Sequence, residues 1–308
     1  EGTHYADITG ESDFFRASVE KHHALALRNG ASIVHHCGND CIPWDLSVYM
    51  MDKLARGTFG AGLVACKTFT EVPPSISASG GTLTTAIYQL SKPRGQRAAE
   101  GGGLDFDPLV LTDAGGKSSF QMKNASPKAS VACPEFGGRS GGPWIMAPVM
   151  ANCVRRSNAL LGYSPELTYS ECQLAFESSV TYIRQAGFNA LVGLSMYVPF
   201  FQRFLSQPGE GPTREAMEAG WLKVHGRGTA QKADGSLVKL RSTYTFNQDT
   251  AYLQTAHMLV ESGLLLAQSD ACARGVVTPA VAFREEIVGR LEGAVGARLE
   301  VGEDRGDD

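Results

Sequence analysis

The chain reads as an α/β protein, in which the C-terminal part of a Rossmann-like parallel sheet is followed by an α+β domain with a mixed or antiparallel sheet. Three observations predict this. First, a strand, a turn and a helix follow one another twice before Gly57, and repeated units of this kind almost always wind right-handed into a parallel sheet. Second, the turn Cys37-Gly38-Asn39-Asp40 stands between the β-branched run Ser32-Ile33-Val34 and a helix start at Pro43. Third, the second half combines a hairpin pattern across Asp234-Gly235 with long helical stretches.

The 308 residues, 43% hydrophobic and 19% charged, suit a soluble globular protein of one large or two medium domains. A net charge of -4 carries no electrostatic footprint for nucleic acid, which is excluded as a partner. Seven scattered cysteines, in a chain too long to need disulfide staples, indicate a reducing, intracellular compartment. Glu1-Gly2 runs straight into strand-like sequence without an initiator methionine, so the chain is expected to be the later part of a longer protein.

Taken in order, residues 3–8 form the first expected strand, ending in Thr9-Gly10-Glu11. Ser12 or Asp13 caps a helix whose apolar face is Phe15, Val19 and Leu25 and which stops at Asn29-Gly30. The strand at Ser32 and the helix from Pro43 follow, with Asp45 in the helix's first turn and Leu46, Tyr49 and Met50 as its apolar positions. Both turns then lie at the carboxyl edge of a parallel sheet, where ligands bind, and a helix N-terminus there suits an anionic or dinucleotide ligand. Residues 62–72 read as a strand, and Gly80-Gly81 precede a helix over 82–90. Residues 91–143, rich in Gly, Ser, Lys and Pro, are expected to be a long, mostly irregular insertion. A helix over 146–161 and a strand over 167–176 follow. Residues 187–205 are the most apolar segment, too short to span a bilayer comfortably, and hence either a buried helix or an interfacial one. Strands over 221–228 and 237–246 make the hairpin. A helix over 250–268 presents Leu253, Ala256, Leu259, Val260 and Leu264 on one face, and Thr278-Pro279 opens a last helix reaching Leu291.

Most motif strings fail on context. Gly60-Ala61-Gly62-Leu63-Val64-Ala65 matches the dinucleotide fingerprint, yet it follows a helix and opens a strand, the reverse of what phosphate binding needs. Gly138-Arg139-Ser140-Gly141-Gly142 matches a hydrolase elbow as a string but lies in the glycine-rich insertion. His35, His36, Cys37 and Cys41 invite a zinc reading. Neighbouring residues on a strand point to opposite faces, however, so one buried and one exposed histidine is the plainer expectation. Asp40 and Asp45 are candidate acid and base residues. For Asp45 a first-turn carboxylate favoured by the helix dipole is the alternative, and for Asp40 both readings stand. Asp7 is expected to be a structural acceptor, and Glu11 faces either ligand or water.

The stretches Gly2-Thr3-His4-Tyr5-Ala6-Asp7-Ile8-Thr9-Gly10-Glu11 and Cys37-Gly38-Asn39-Asp40-Cys41-Ile42-Pro43-Trp44-Asp45-Leu46 resemble two signatures of the saccharopine dehydrogenase-like oxidoreductases. That family includes the mycobacterial trans-acting enoyl reductases. The resemblance continues through Ser79-Gly80-Gly81-Thr82, Val154-Arg155-Arg156-Ser157 and Gly275-Val276-Val277-Thr278-Pro279-Ala280. Asn39 stands where the family usually has an aromatic or apolar residue, and Cys41 and Trp44 stand where it has serine.

The resemblance implies that residues 1–58 are the remnant of an NAD(P)-binding Rossmann domain lacking its glycine-loop half. Residues 59–308 would be an α+β substrate and dimerisation-type domain, and this chain alone is expected to be inactive. It implies a nicotinamide-dependent reductase, with NADP favoured over NAD, acting on a lipid or enoyl substrate of glycolipid synthesis. A homodimer and a lipid-droplet or membrane surface are the expected associations, in the cytoplasm or at an organelle membrane. The alternative is a catalytically inactive lipid-droplet protein using the same fold. Thr9, Gly10, Glu11, Cys37, Gly38, Asn39 and Pro43 are the expected cofactor-binding residues. Asp40, directly or through a water, is the expected proton donor. Arg155 or Arg156 would pair with an acidic substrate group, against the commoner case of solvent-facing helix arginines.

Overall fold

Two sheets share one helix, and that helix leaves the second predicted turn. The structure, a computed structural model, describes residues 2–39, 41–73, 78–91, 120–144, 146–175, 187, 191, 194 and 198–306. In chain order the elements are β1 (Tyr5–Ala6), α1 (Ser12–Arg28), β2 (Ser32–Val34), α2 (Ile42–Phe59), β3 (Gly62–Glu71), α3 (Gly80–Ser91), β4 (Gln121–Asn124), β5 (Val131–Cys133) and β6 (Arg139–Gly142). There follow α4 (Ala147–Leu161), β7 (Glu166–Leu174), a 3-10 turn (Pro199–Phe204), α5 (Arg214–Glu218), β8 (Leu222–Gln231) and β9 (Leu237–Phe246). The chain closes with α6 (Leu253–Gln268), β10 (Gly275–Val277), α7 (Pro279–Phe283), α8 (Glu286–Val295) and β11 (Arg298–Glu303).

The first sheet is parallel and has the order β1-β2-β10, with Ala6 opposite Val34 and Val277 opposite Val34 on the other side. Its third strand comes from the far end of the chain, outside residues 1–58. The second sheet is mixed and runs β11-β9-β8-β3-β7-β6-β5, with β4 paired to β7. The predicted hairpin is present as β8 and β9 in antiparallel register from Leu222–Phe246 to Gln231–Leu237.

Helix α2 joins the two sheets. Pro43 sits in its first turn, where a missing N–H costs nothing, and Gly60 ends it in the left-handed conformation at φ 59°. That geometry disposes of the phosphate-loop string, since its first glycine is a helix stop. Along α2, Trp44, Leu46, Val48 and Met51 are buried against β3, β8 and β9 and against α4 and α7. Asp52 accepts the Leu63 N–H at 3.2 Å and the Arg56 Nε–H at 2.7 Å, so the turn into β3 is held from within.

Four expectations are corrected. Phe15 and Val19 are buried on α1 as expected, but Leu25 is exposed and Ala26 takes its place, because the helix meets β10 and β2 on the Val276 side. Glu11 rather than Ser12 or Asp13 is the residue at the N-cap, with no side-chain cap. On α6 the buried residues are Gln254, Thr255, Met258, Ser262, Leu265 and Leu266, whereas Ala256, Val260 and Leu264 face outward. The helix is turned by about one residue, ~100°: Thr255 meets the polar 37–39 turn, while Met258, Leu265 and Leu266 enter the apolar core that also holds Ile287 and Leu291. The stretch 91–143 is not irregular where it is described, since β4, β5 and β6 lie in it and extend the second sheet.

Within residues 187–205, positions 188–190, 192–193 and 195–197 lie outside the described residues. Of those described, Leu194, Val198, Phe200 and Phe204 are exposed and Leu205 is buried, so the buried-helix alternative fails for these four side chains. No helix among the described residues is long and apolar enough to cross a membrane.

Candidate functional site

The two predicted turns meet at the carboxyl ends of β1 and β2. The Cys37 N–H donates to the Asp7 carbonyl at 2.7 Å and the Asp7 N–H to the Val34 carbonyl at 3.1 Å, so each strand end is tied to the other. Gly38 lies where the end of the first strand and α6 close in. A Cβ there would stand 3.0 Å from Thr255 Cγ2 and 3.2 Å from Ile8 Cγ2. Glycine is required by this approach, not by its own backbone angle.

The hydrogen bonds of the rim show what it can hold. In the first turn the Thr9 N–H goes to Asp7 Oδ1 (3.0 Å), the Gly10 N–H to Glu11 Oε2 (3.1 Å) and the Glu11 N–H to Thr9 Oγ1 (3.3 Å). The Thr9 hydroxyl also donates to Glu11 Oε2. In the second turn the Asn39 N–H goes to Thr255 Oγ1 at 2.9 Å. Five main-chain donors that a phosphate cradle would use, those of Thr9, Gly10, Glu11, Cys37 and Asn39, are thus already engaged. Of the buried side-chain atoms without a hydrogen-bond partner among the described residues, two acceptors stand in the second turn, His36 Nε2 and Asn39 Oδ1. The rim suits a ligand that donates hydrogen bonds rather than an anion.

Both histidines are buried, contrary to the one-in, one-out expectation, because α1 covers one face of β2 and the first turn covers the other. His35 bonds Asp7 Oδ2 through Nδ1 and Ser18 Oγ through Nε2, each at 2.8 Å. Asp7 also accepts from the Tyr5 hydroxyl at 3.0 Å, which makes it the structural acceptor expected of it. Burial pushes the Asp7 carboxyl up, but His35, the Thr9 N–H and Tyr5 together hold it below the usual carboxylate range. His36 donates from Nδ1 to the Thr9 carbonyl at 2.6 Å, with Phe15 edge-on to its ring. Burial, and then neighbouring His35, lower its pKa to about 4, so the ring is neutral.

Asp40 lies outside the described residues. Cys37 is fully buried, its thiol donating to the Val34 carbonyl and pushed well up by burial. Pro43 is buried in the first turn of α2. Neither arginine faces solvent. Arg155 donates to Asn152 Oδ1, and Asn152 reaches Ser12 Oγ at 3.3 Å, which puts Arg155 beside the start of α1. Arg156 donates to the Val276 carbonyl at 2.9 Å, and burial lowers its pKa to about 10. Asp45 is wholly buried and accepts the Ala280 N–H at 2.9 Å, while Ser157 Oγ meets Thr278 Oγ1 at 2.6 Å beside it. Burial raises Asp45 to about 6 against hydrogen bonds from Ser157, Ala280, Cys153 and Thr278. Three of the segments that carried the resemblance therefore converge on Asp45, which ties α2 to the start of α7. Among the described residues, no group of three or more His, Cys, Asp or Glu could hold a metal ion.

Thr255 and Asn152 were not singled out from sequence, and His36 was considered only as a zinc ligand or a strand histidine. Only the packing of α6 shows that Thr255 touches the turn. Beside the outer edge of β1 a cavity of about 360 Å³ is lined by His4, Ala6, Leu259, Gly263, Leu266 and Ala267.

Trans-acting enoyl reductase of Mycobacterium tuberculosis is 33% identical over 318 residues, spanning 95% of this chain and 73% of its own. That of Mycobacterium ulcerans is 31% identical over 312 residues, spanning 94% and 72%. The chain belongs to the trans-acting enoyl reductase family. The resemblance to the trans-acting enoyl reductases read from the two signatures is thereby borne out, and the family is one of oxidoreductases. No family model matches the chain. Saccharopine dehydrogenase (L-Glu forming) from Saccharomyces cerevisiae aligns in structure with a TM-score of 0.40 and 10% identity, over 91% of this chain and 76% of its own.

Proposed function

We propose that this enoyl reductase family member provides the nicotinamide-ribose end of an NAD(P)H site together with the substrate domain of a lipid enoyl reductase, with NADPH as the favoured cofactor. The observation that carries the proposal is the rim at Thr9–Glu11 and Cys37–Asn39, where amide donors are engaged and buried acceptors stand bare. Ribose hydroxyls and a carboxamide supply donors, whereas a pyrophosphate does not. In this reading the nucleotide-binding unit is residues 1–58 completed by β10, and the remainder is the α+β domain. The pyrophosphate is then held elsewhere than at the rim, whose Thr9, Gly10, Glu11, Cys37 and Asn39 amides are engaged.

The cofactor supplies a hydride when bound. The chain's own residues do the rest. Glu11 and Asn39 orient hydroxyl and amide donors, and the Gly38–Thr255 contact closes the rim against water. Asp40, or a water it holds, returns a proton to the substrate carbon next to the carbonyl. Arg155, beside the start of α1, meets an acidic group of the substrate. The test is titration of the full-length polypeptide with NADPH by fluorescence, followed by reduction of a long-chain enoyl thioester. Binding in the micromolar range and consumption of the double bond are expected, and no binding at millimolar NADPH would end the proposal.

Exposed Leu194, Val198, Phe200 and Phe204 favour a second reading, a protein held at a lipid surface with or without catalysis. Arg203, 3.4 Å from the Phe200 ring centroid, adds a cation at the same place. Flotation with anionic vesicles tests it, and F200S/F204S would release the protein.

A further inference from the structure

His36 combines three features that rarely coincide. Its φ is positive, 66°, as at only one other described non-glycine residue, Arg284. Its ring is buried, and Nε2 has no hydrogen-bond partner among the described residues. Its tautomer is set, because the Thr9 carbonyl can only accept and so draws the proton to Nδ1. A strained residue with an orphaned polar atom at a ligand-binding sheet edge points to a binding role, since neither feature helps the empty fold.

From these we infer that His36 Nε2 accepts a hydrogen bond from the ligand of this rim, and that its partner is the carboxamide N–H of the nicotinamide; the second part rests on the cofactor reading above. The chemistry is specific. Nε2 offers a lone pair and no proton, so it selects an N–H or O–H and disfavours a carbonyl or carboxylate in that place. Asn39, three residues on, can turn its amide to present either donor or acceptor. The imidazole has no such freedom while Thr9 holds Nδ1. A ring with a pKa of about 4 keeps this acceptor character at any working pH. Phe15, edge-on to the ring at 4.4 Å between centroids, fixes its plane. A site built to pair a donor discriminates strongly against an analogue without one, because the buried acceptor is then left unpaired.

The experiment compares two ligands on the full-length polypeptide, NADPH and its reduced 3-acetylpyridine analogue, in which a methyl group replaces the carboxamide nitrogen. Wild type is expected to bind NADPH about tenfold more tightly than the analogue. His36→Phe keeps a ring against Phe15 but cannot accept, so the preference should fall to about one while affinity for the analogue changes less than twofold. His36→Asn, which tolerates the left-handed backbone and restores an acceptor, should recover part of it. His36→Gly, which relaxes the backbone, replaces the Phe variant if that fails to fold, with the same expectation. Equal binding of the two ligands by wild type, or a preference that survives in His36→Phe or His36→Gly, overturns the assignment and leaves Nε2 to a buried water. Failure of wild type to bind either ligand overturns the cofactor reading itself, and the assignment with it.

Discussion

Replacing Gly38 by alanine tests the packing that closes the rim. The added Cβ would lie 3.0 Å from Thr255 Cγ2, 3.2 Å from Ile8 Cγ2 and 3.3 Å from Thr255 Oγ1. No backbone strain enters, because Gly38 is not among the positive-φ glycines, and the smaller unfolded-chain entropy of alanine offsets only part of the clash. The cost is therefore overpacking, about 2 kcal/mol, and at this chain length about 4 °C in Tm. Thr255→Ser removes Cγ2 but keeps the hydroxyl that accepts the Asn39 N–H. Alone it should cost about 1 kcal/mol as a lost buried methyl. Combined with Gly38→Ala it should cost at least about 1 kcal/mol less than the two single losses together, since the deleted methyl is the one in the way. Urea unfolding of the four proteins at one pH gives all the terms. Additive losses, or a Gly38→Ala protein as stable as wild type, would refute the claim that α6 and the turn touch here.

Two buried groups should give opposite pH slopes. Folded Asp45 holds its proton to about pH 6 while the unfolded carboxyl releases it near 3.8, so its contribution is present below that lower value and lost as pH rises to 6. Folded His36 stays neutral to about pH 4 while the unfolded ring charges below 6.5, so its contribution is present above 6.5 and lost as pH falls to 4. In wild type the two largely offset; in Asp45→Asn, stability should gain about 3 kcal/mol relative to wild type between pH 4 and 6, and His36→Asn should lose a similar amount. Urea midpoints across that range decide it, and parallel slopes for all three proteins would show the reasoning wrong. All seven cysteines are free and buried, so a thiol-reactive dye should label none rapidly in the native protein and seven after denaturation. Gly141→Ala should loosen β6, because its Cβ would press on both Cys172 Sγ and Cys133 Sγ, the latter at 2.7 Å; a lower Tm with early proteolysis near residue 140 is the expected result.

Local pattern carried the sequence-based reading a long way. The β-branched run at Ser32, the proline at 43 and the Asp234-Gly235 turn each imposed a backbone state that survives in the fold. What stayed hidden was set by distant partners. Nothing in Gly275-Val276-Val277 says that it pairs with Ser32–Val34. The apolar stripe on α6 pointed to the wrong face, because Thr255 meets a polar turn and Gln254 is held by Gln248, partners distant from the stripe in pattern. The two histidines were read by strand alternation, which ends at Val34, while His36 already belongs to the turn with its φ of 66°. The burial of Arg155 and Arg156 depends on α4 lying against α1 and β10, and no spacing in the helix announces that. The glycine-rich stretch before Trp144 was read by composition, which misses strands such as Arg139–Gly142 that owe their pairing to β7.

The place of β10 bears on how the protein is made. Strand β2 emerges early in translation, but its second neighbour follows roughly 240 residues later, some 10 to 50 seconds at ordinary elongation rates of about 5–20 residues per second. Through that interval a short, β-branched strand waits with an unclaimed edge, while the larger sheet can assemble up to β9. The nascent polypeptide should therefore complete its second sheet first and the first sheet with its rim last, and ribosome-associated chaperones have that whole interval in which to shield the waiting strand.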